Sequence, residues 1–144
     1  RIVIAAVGKV KDRPLREAID EYIGRVRRCV AVDETEIADG PPDRVRAAFE
    51  KATREATAIA LEVDGAAPSS EVFARQLERY GARGKGTVVF LIGGADGLPP
   101  EVSRAAHARV SLSTLTFPHR LARLVLIEQI YRAMTILRNE PYAH

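Results

Sequence analysis

Two segments in the C-terminal half of the chain have residue types that could form a ligand pocket. The first spans 87–97 (TVVFLIGGADG), where an apolar run breaks into a glycine-rich loop. The second spans 111–119 (SLSTLTFPH), which is rich in hydroxyl groups and ends at Pro118 and His119. Both have the pattern of a strand followed by a loop. Because the segments are close in sequence, we expect the two loops to leave one sheet edge side by side and to build a pocket.

The first loop contains Gly93, Gly94 and Gly97, which allow positive φ angles and a close approach of a ligand to the backbone. Its GGxxG spacing differs from the GxGxxG of dinucleotide folds, and no Walker lysine follows it, so a phosphate cradle is not predicted. Taken alone, the cluster is also explained by a tight turn from strand to helix. We interpret Asp96 as a turn or capping residue.

The second loop offers the hydroxyls of Ser113, Thr114 and Thr116, with backbone groups that could face a flat polar ligand such as adenine. The alternative is local capping, since Ser and Thr often form hydrogen bonds with nearby backbone. His119 could act as a base, as a hydrogen-bond donor or as a helix cap. The loop is therefore a candidate binding element with an ordinary structural explanation beside it.

The sequence shows no recognisable catalytic set of its own. Its three histidines and one cysteine have no metal-ligand spacing, so no metal site is predicted. No Ser–His–Asp arrangement and no pair of carboxylates can be argued from the pattern. An enzyme with this sequence would take its reactivity from a cofactor, with the protein supplying position and electrostatics.

Strand-like and helix-like stretches alternate along the chain. Strands are predicted at 2–7, 30–37, 58–63, 87–92 and 109–112. Helices are predicted at 14–28, at 44–56 with Asp43 as N-cap, from Ser69 or Ser70 to Tyr80, from Pro99 or Pro100, and at 118–138. The alternation predicts an α/β fold, a mostly parallel sheet with helices on both faces. Ligands of such sheets bind beyond the C-terminal strand ends, where Leu61 and both loops fall.

Length and composition limit the class of protein. The 144 residues predict one domain, 1–144, and the content of 47% apolar and 28% charged residues is typical of a soluble globular protein. No membrane span or signal peptide is recognisable, and the lone Cys29 suits a reducing cytosol, so we expect a cytoplasmic protein. Because the chain begins at Arg1 without a methionine, we expect the native start to be missing or processed.

The C-terminal part combines positive charge with a very apolar helix. From residue 104 onward, six arginines face only two acidic residues, which suits a partner with phosphates. The predicted final helix has apolar side chains around much of its surface: Leu121, Leu124, Val125, Leu126, Ile127, Ile130, Tyr131, Met134 and Leu137. Such a helix must be covered on more than one side. We expect a homodimer through this helix; the alternative is burial within one monomer.

Several stretches resemble the RlmH-type (YbeA-like) ribosomal RNA methyltransferases of the SPOUT superfamily. They are IVIAAVGKVKD at 2–12, ALEVDG at 60–65, LIGGADGLPPEV at 91–102, SLSTLTFPHRLARLVLIEQIYRA at 111–133 and NEPY at 139–142. The resemblance covers essentially the whole chain. It implies an α/β fold with a deep C-terminal trefoil knot, and a dimer that packs through the knotted part.

The resemblance also implies a cofactor and a substrate. The methyl donor is S-adenosylmethionine, and the acceptor is N3 of a pseudouridine in helix 69 of 23S ribosomal RNA, within the large subunit or the assembled ribosome. Family cofactor contacts fall on Leu61, Gly93, Gly94, Leu112, Ser113, Thr114, Leu115, Thr116 and Phe117. Our candidate catalytic residues on the substrate side are His119, Arg123 and Tyr142. Arg123 would contact phosphate or the developing anion, and Tyr142 would stack on a base.

The C-terminal tail departs from the family pattern, and two other functions are alternatives to this interpretation. The family ends in Pro-Tyr-His and a basic residue, whereas this chain reads PYAH at 141–144, so no role is transferred to His144. The runner-up function is a non-catalytic ribosome- or RNA-binding protein that retains the SPOUT fold. A generic α/β nucleotide-binding enzyme is a third reading, which the absence of both phosphate fingerprints disfavours.

Overall fold

Five parallel strands form one sheet, and helices cover both of its faces. The computed structural model describes residues 1–142. The strands are β1 (Ile2–Val7), β2 (Val32–Ile37), β3 (Thr57–Ala66), β4 (Val88–Ile92) and β5 (Ala108–Val110). The helices are α1 (Arg13–Arg27), α2 (Pro42–Ala52), α3 (Ser70–Gly81), α4 (Pro100–Ala105) and α5 (His119–Leu137). The strand order is β2-β1-β4-β3-β5.

The two inner strands β1 and β4 explain how the sheet is held between helices. Their sequences, IVIAAV and VVFLI, are buried along their whole length, as expected of strands covered on both faces. Successive side chains of a strand point to opposite faces. Ile4 and Phe90 therefore join a core under α1, α3 and α5, while Ala5 and Leu91 join a second core under α2 and α4.

The helix starts follow the expected capping chemistry at α3 but not at α2. Ser69 caps α3 by accepting a hydrogen bond from the backbone N–H of Val72 at 3.2 Å. The prediction of Asp43 as the cap of α2 is wrong, because the helix begins at Pro42 and Asp43 lies in its first turn. Proline has a suitable fixed φ for the first helical position, and its missing N–H costs nothing there. This explains the earlier start.

The predicted architecture, a mostly parallel sheet with helices on both faces, is confirmed, and every strand pair is parallel. However, β3 lies between β4 and β5, so the end of β3 separates the two loops that we expected side by side. β3 also continues to Ala66, beyond the predicted end at 63. The trefoil knot that the resemblance implies stays a prediction.

The last helix, α5, is covered mainly by its own chain. It lies on the sheet and contacts both α1 and α3, and Leu126, Ile127 and Ile130 are fully buried there. These side chains need no second subunit, so burial within one monomer accounts for them. On the outward side, Leu121 and Ile136 stay 39% and 37% exposed. Dimerisation stays a prediction that depends on this outward side. No helix within residues 1–142 is long and apolar enough to cross a membrane.

The burial of α5 can be tested by comparing two leucines. Leu126 is 0% exposed, whereas Leu115, in the loop before the helix, is 71% exposed. We expect Leu126→Ala to lower the free energy of unfolding by about 2–5 kcal/mol. The matched control, Leu115→Ala, should change it by about 0.5 kcal/mol or less. Urea unfolding followed by circular dichroism measures both, and equal losses would contradict this placement of α5.

Candidate functional site

A cavity of about 450 Å³ lies at the C-terminal ends of β3, β4 and β5, beside the start of α5. Its volume is within the range of sites that bind small molecules. Its lining includes Leu61, Glu62, Val63, Gly93, Gly94, Gly97, Leu112, Ser113, Leu115, Thr116, Phe117 and His119. The structure thus brings together all but one of the residues that we expected to contact a cofactor. The exception is Thr114, which is exposed and not part of the lining.

The glycine loop is a tight turn and a wall of the cavity at the same time. The backbone N–H of Gly97 donates to the carbonyl of Gly94 at 3.0 Å, and Gly97 has φ +77°. A Cβ on Gly93 would lie 2.3 Å from the carbonyl carbon of Gly97, so no larger residue fits without a shift. The two explanations of the glycine cluster, turn and ligand approach, are therefore compatible.

The hydroxyls of the second loop are used largely within the loop. Ser111 Oγ donates to the carbonyl of Ser113 at 2.6 Å, and Ser113 Oγ accepts from the N–H of Leu115 at 3.0 Å. Within residues 1–142, the backbone N–H groups of Thr116 and Phe117 make no hydrogen bond. Local capping thus shapes the loop, and these two amides remain available to a ligand.

A bulge in β3 forms the wall that sequence patterns did not predict. Val110 of β5 pairs with both Leu61 and Ala66, so the four residues between them leave the ladder. Gly65 allows this path, because a Cβ there would lie 2.8 Å from the carbonyl carbon of Val110. Bulges often turn side chains toward a site. Glu62 and Val63 of this bulge line the cavity, and the available signal was the glycine within a strand pattern.

Glu62 is the only acidic side chain among the described residues that line the cavity. Burial is the largest cause that raises the pKa of its carboxyl group, and the charge of Asp64 raises it further, while Arg109 lowers it. In residues 1–142 the Glu62 carboxylate has no hydrogen bond or ion pair. The cavity therefore has one acidic group whose ionised form is disfavoured by its surroundings.

The structure separates the three candidate catalytic residues. His119 lines the cavity, at the first position of α5. Arg123 lies one turn further on and is buried, with a side chain only 2% exposed. Its guanidinium donates to the carbonyl of Gly8 at 2.9 Å and to the carboxylate of Glu34 at 3.0 Å. This arrangement gives no support to a phosphate contact by Arg123, which stays a prediction.

Glu34 joins Arg123 to a second arginine. The carboxylate, on β2, also accepts from Arg16 of α1, and Arg16 in turn bonds to Asp20. Breaking a buried ion pair leaves an uncompensated charge, so such pairs are costly to disrupt. The cluster therefore holds the start of α5, and the loop before it, against β2 and the loop after β1.

Tyr142 lies on the α1–α5 side of the molecule and is not part of the cavity lining. Its hydroxyl donates to Glu128 at 3.1 Å and lies 3.1 Å from the hydroxyl of Tyr22. Its ring packs edge-on against Tyr131, and burial together with these hydrogen bonds raises the pKa of its hydroxyl. The expected base-stacking role stays a prediction, and residues 143–144, with His144, lie outside the described part.

The cavity fits a nucleoside better than a metal ion. Leu61, Leu112 and Phe117 supply apolar surface, and the free amides of Thr116 and Phe117 supply donors suited to the edge of a base. Within residues 1–142 no group of three or more His, Cys, Asp or Glu side chains could hold a metal ion. The donor set therefore suits the cofactor that the resemblance implies.

Comparison with known proteins identifies the family. Residues 1–144 match the family model described as "Predicted SPOUT methyltransferase". The chain belongs to this family. It is 67% identical over 144 residues to the ribosomal RNA large subunit methyltransferase H of Sorangium cellulosum, covering 100% of this chain and 99% of that protein. The protein of the same name from Desulfitobacterium hafniense is 40% identical, with coverage of 99% and 98%. The resemblance predicted from the sequence is confirmed.

Solved structures support the fold of this SPOUT methyltransferase. A probable methylase family protein from Haemophilus influenzae matches with a TM-score of 0.63 at 10% identity, covering 99% of this chain and 70% of that chain. A probable methyltransferase from Bordetella pertussis matches with a TM-score of 0.59 at 14% identity, covering 93% and 96%. At these identities the likeness shows the fold alone.

The glycine wall can be tested with two alanine substitutions. We expect Gly93→Ala to cost at least about 2 kcal/mol of unfolding free energy, because its Cβ would lie 2.3 Å from Gly97. Gly24→Ala, in α1 with no atom within 4 Å, is the matched control and should stabilise by about 0.5–1 kcal/mol. Denaturant unfolding measures both. A Gly93→Ala protein as stable as the wild type would contradict the geometry of the turn.

Proposed function

We propose that this protein transfers a methyl group from S-adenosylmethionine to N3 of a pseudouridine in helix 69 of 23S ribosomal RNA, in the cytoplasm. The proposal rests above all on the cavity at the ends of β3, β4 and β5. The chain that forms it is 67% identical, over its full length, to a ribosomal RNA large subunit methyltransferase H. The volume of the cavity supports binding of the donor, and the relative's name supports ribosomal RNA of the large subunit as the substrate.

The described residues suit the donor in three ways. The glycine loop lines one side of the cavity with residues that have no side chain to keep a ligand from the backbone. On another side, Leu112 and Phe117 can enclose an adenine ring, while the N–H groups of Thr116 and Phe117 can bond to its edge. The bulge residues Glu62 and Val63 form a further wall.

The protein's part in the reaction is to hold the two reactants in line and to accept the proton that N3 loses. The bound donor would supply an electrophilic methyl group on its sulfonium. Fixing the reacting atoms in line lowers the barrier substantially. Of our three candidates, His119 alone lines the cavity, so its imidazole is the group that we assign to the N3 proton. Arg123 acts indirectly in this proposal, by holding α5 in place.

The arginines of the C-terminal part divide into two sets, of which one can serve RNA. Three are engaged in ion pairs with glutamates: Arg123, Arg132 and Arg138. Three are exposed and make no ion pair within residues 1–142: Arg104, Arg109 and Arg120. Exposed arginines bind phosphates well. Because the net charge of the chain is only +3, we propose that the protein alone binds RNA weakly and that the ribosome supplies further contacts.

We also propose a homodimer through the outward side of α5. Leu121 and Ile136 are exposed there, and Val72 of the neighbouring α3 is 43% exposed. Exposed apolar side chains on α5 and on its neighbour α3 suit contact with a second copy.

Methyl transfer can be tested first by calorimetry with S-adenosylmethionine and then on ribosomal RNA. We expect the wild-type protein and Gly24→Ala to bind the donor and Gly93→Ala to lose binding. In a strain lacking the gene, mass spectrometry should show one methyl group missing from the helix 69 fragment. The wild-type and Gly24→Ala genes should restore it, and the Gly93→Ala gene should not. No binding at millimolar donor would favour the non-catalytic ribosome-binding alternative. An unchanged fragment would refute the proposed substrate.

The dimer is tested by light scattering on the double variant Leu121→Arg/Ile136→Arg. Because both side chains are exposed, the variant should keep its fold by circular dichroism yet behave as a monomer. Val63→Arg, equally drastic at a side chain that is 70% exposed but lies on the bulge of β3 and not on α5, should leave the mass unchanged. A monomeric wild-type protein would contradict the proposal.

A further inference from the structure

Among the described residues, the lining of the cavity contains one acidic side chain and no lysine or arginine. Glu62 enters the lining because the bulge between Leu61 and Ala66 takes it out of the ladder. The other polar groups of the lining are hydroxyls, backbone groups and the imidazole of His119. One carboxylate therefore sets the sign of the charge that a bound molecule meets.

This carboxylate has no partner of its own among residues 1–142. Burial, followed by the charge of Asp64, raises the pKa of Glu62, and the charge of Arg109 offsets this only in part. A raised carboxyl pKa means that the ionised form is held at a free-energy cost in the folded protein. A cation in the cavity would relieve that cost. The geometry and the charge together point to a cationic ligand.

Resting on the proposed function, we propose that Glu62 makes the cavity select the cationic methyl donor over its uncharged-sulfur product. In the transfer, the methyl carbon bonds to N3 and the electron pair of the broken carbon–sulfur bond stays on sulfur. The N3 proton leaves to the imidazole of His119, the acceptor assigned above. The sulfonium thereby becomes a neutral thioether, so its attraction to Glu62 disappears in the product.

The size of the cavity makes this attraction effective without a direct contact. A sphere of about 450 Å³ has a radius of about 5 Å, so the centre of the cavity lies about 5 Å from a group in its wall, within the screening length of about 8 Å at physiological ionic strength. Glu62 thus acts on a sulfonium held at the centre of the cavity or on the Glu62 side of it. Glu62 is a specificity-determining residue in this proposal, and weaker binding of the product favours its release after each turnover.

Calorimetry with three ligands separates this role from an ordinary contact. S-adenosylmethionine carries a sulfonium, sinefungin carries an amine that is protonated near the same position, and S-adenosylhomocysteine carries a neutral sulfur. We expect Glu62→Gln to raise the Kd of the two cationic ligands about tenfold, equivalent to about 1.4 kcal/mol. The Kd of S-adenosylhomocysteine should rise about twofold or less.

The matched control is Asp64→Asn, which removes an exposed charge two residues away that does not line the cavity. It should change the three Kd values by about threefold or less. Because the pKa of Glu62 is raised, Glu62→Gln removes an unfavourable charge at neutral pH, so its melting temperature should not fall. A thermal melt of each variant checks that binding losses do not reflect unfolding.

The losses of affinity for the three ligands distinguish the proposal from its alternatives. A larger loss for both cationic ligands than for S-adenosylhomocysteine supports the proposal. Equal losses for all three ligands would show that Glu62 contacts a part that they share, such as the ribose, and would overturn it. Unchanged affinities in Glu62→Gln would overturn it as well. If the wild-type protein binds none of the three, the proposed function itself fails, and the inference fails with it.

Discussion

The buried guanidinium of Arg123 ties the last helix to the first two strands, and the cavity depends on this tie. Its bonds to Glu34 and to the carbonyl of Gly8 anchor α5 where the helix begins. The loop of 111–118 ends at that point, so its path past the ends of β3 and β5 is determined by where α5 starts. The hydrophobic core under α5 stabilises the packing of the helix on the sheet. The ion pair between Arg123 and Glu34 fixes the position at which the helix starts.

The site itself is made almost entirely of backbone features. A tight glycine turn, a self-capped hydroxyl loop and a four-residue bulge come together because their strands are parallel and end at one edge of the sheet. Parallel sheets place their binding sites at such edges. Few ionisable groups take part, which suits a reaction whose reactivity comes with the bound donor and whose catalyst supplies position.

The residues of the two loops can serve the local fold and line the cavity at the same time. Gly93 is required by the turn, and it also lines the cavity. Ser113 bonds within its own loop, and this local use leaves the amides of Thr116 and Phe117 free. At these residues a structural role and the proposed ligand-binding role are therefore compatible.

The sequence alone determined the alternation of strands and helices, the parallel sheet, and most of the cavity lining, including Leu61 and both loops. These follow from local periodicity and glycine positions, which act over a few residues. Only the tertiary structure decided that β3 separates the two loops, that Glu62 enters the cavity, and that Arg123 is buried. Each depends on partners distant in the chain: Val110 for the bulge of Glu62, and Gly8 and Glu34 for Arg123. No local pattern specifies such pairings, because their energies arise only when the whole sheet and α5 are assembled.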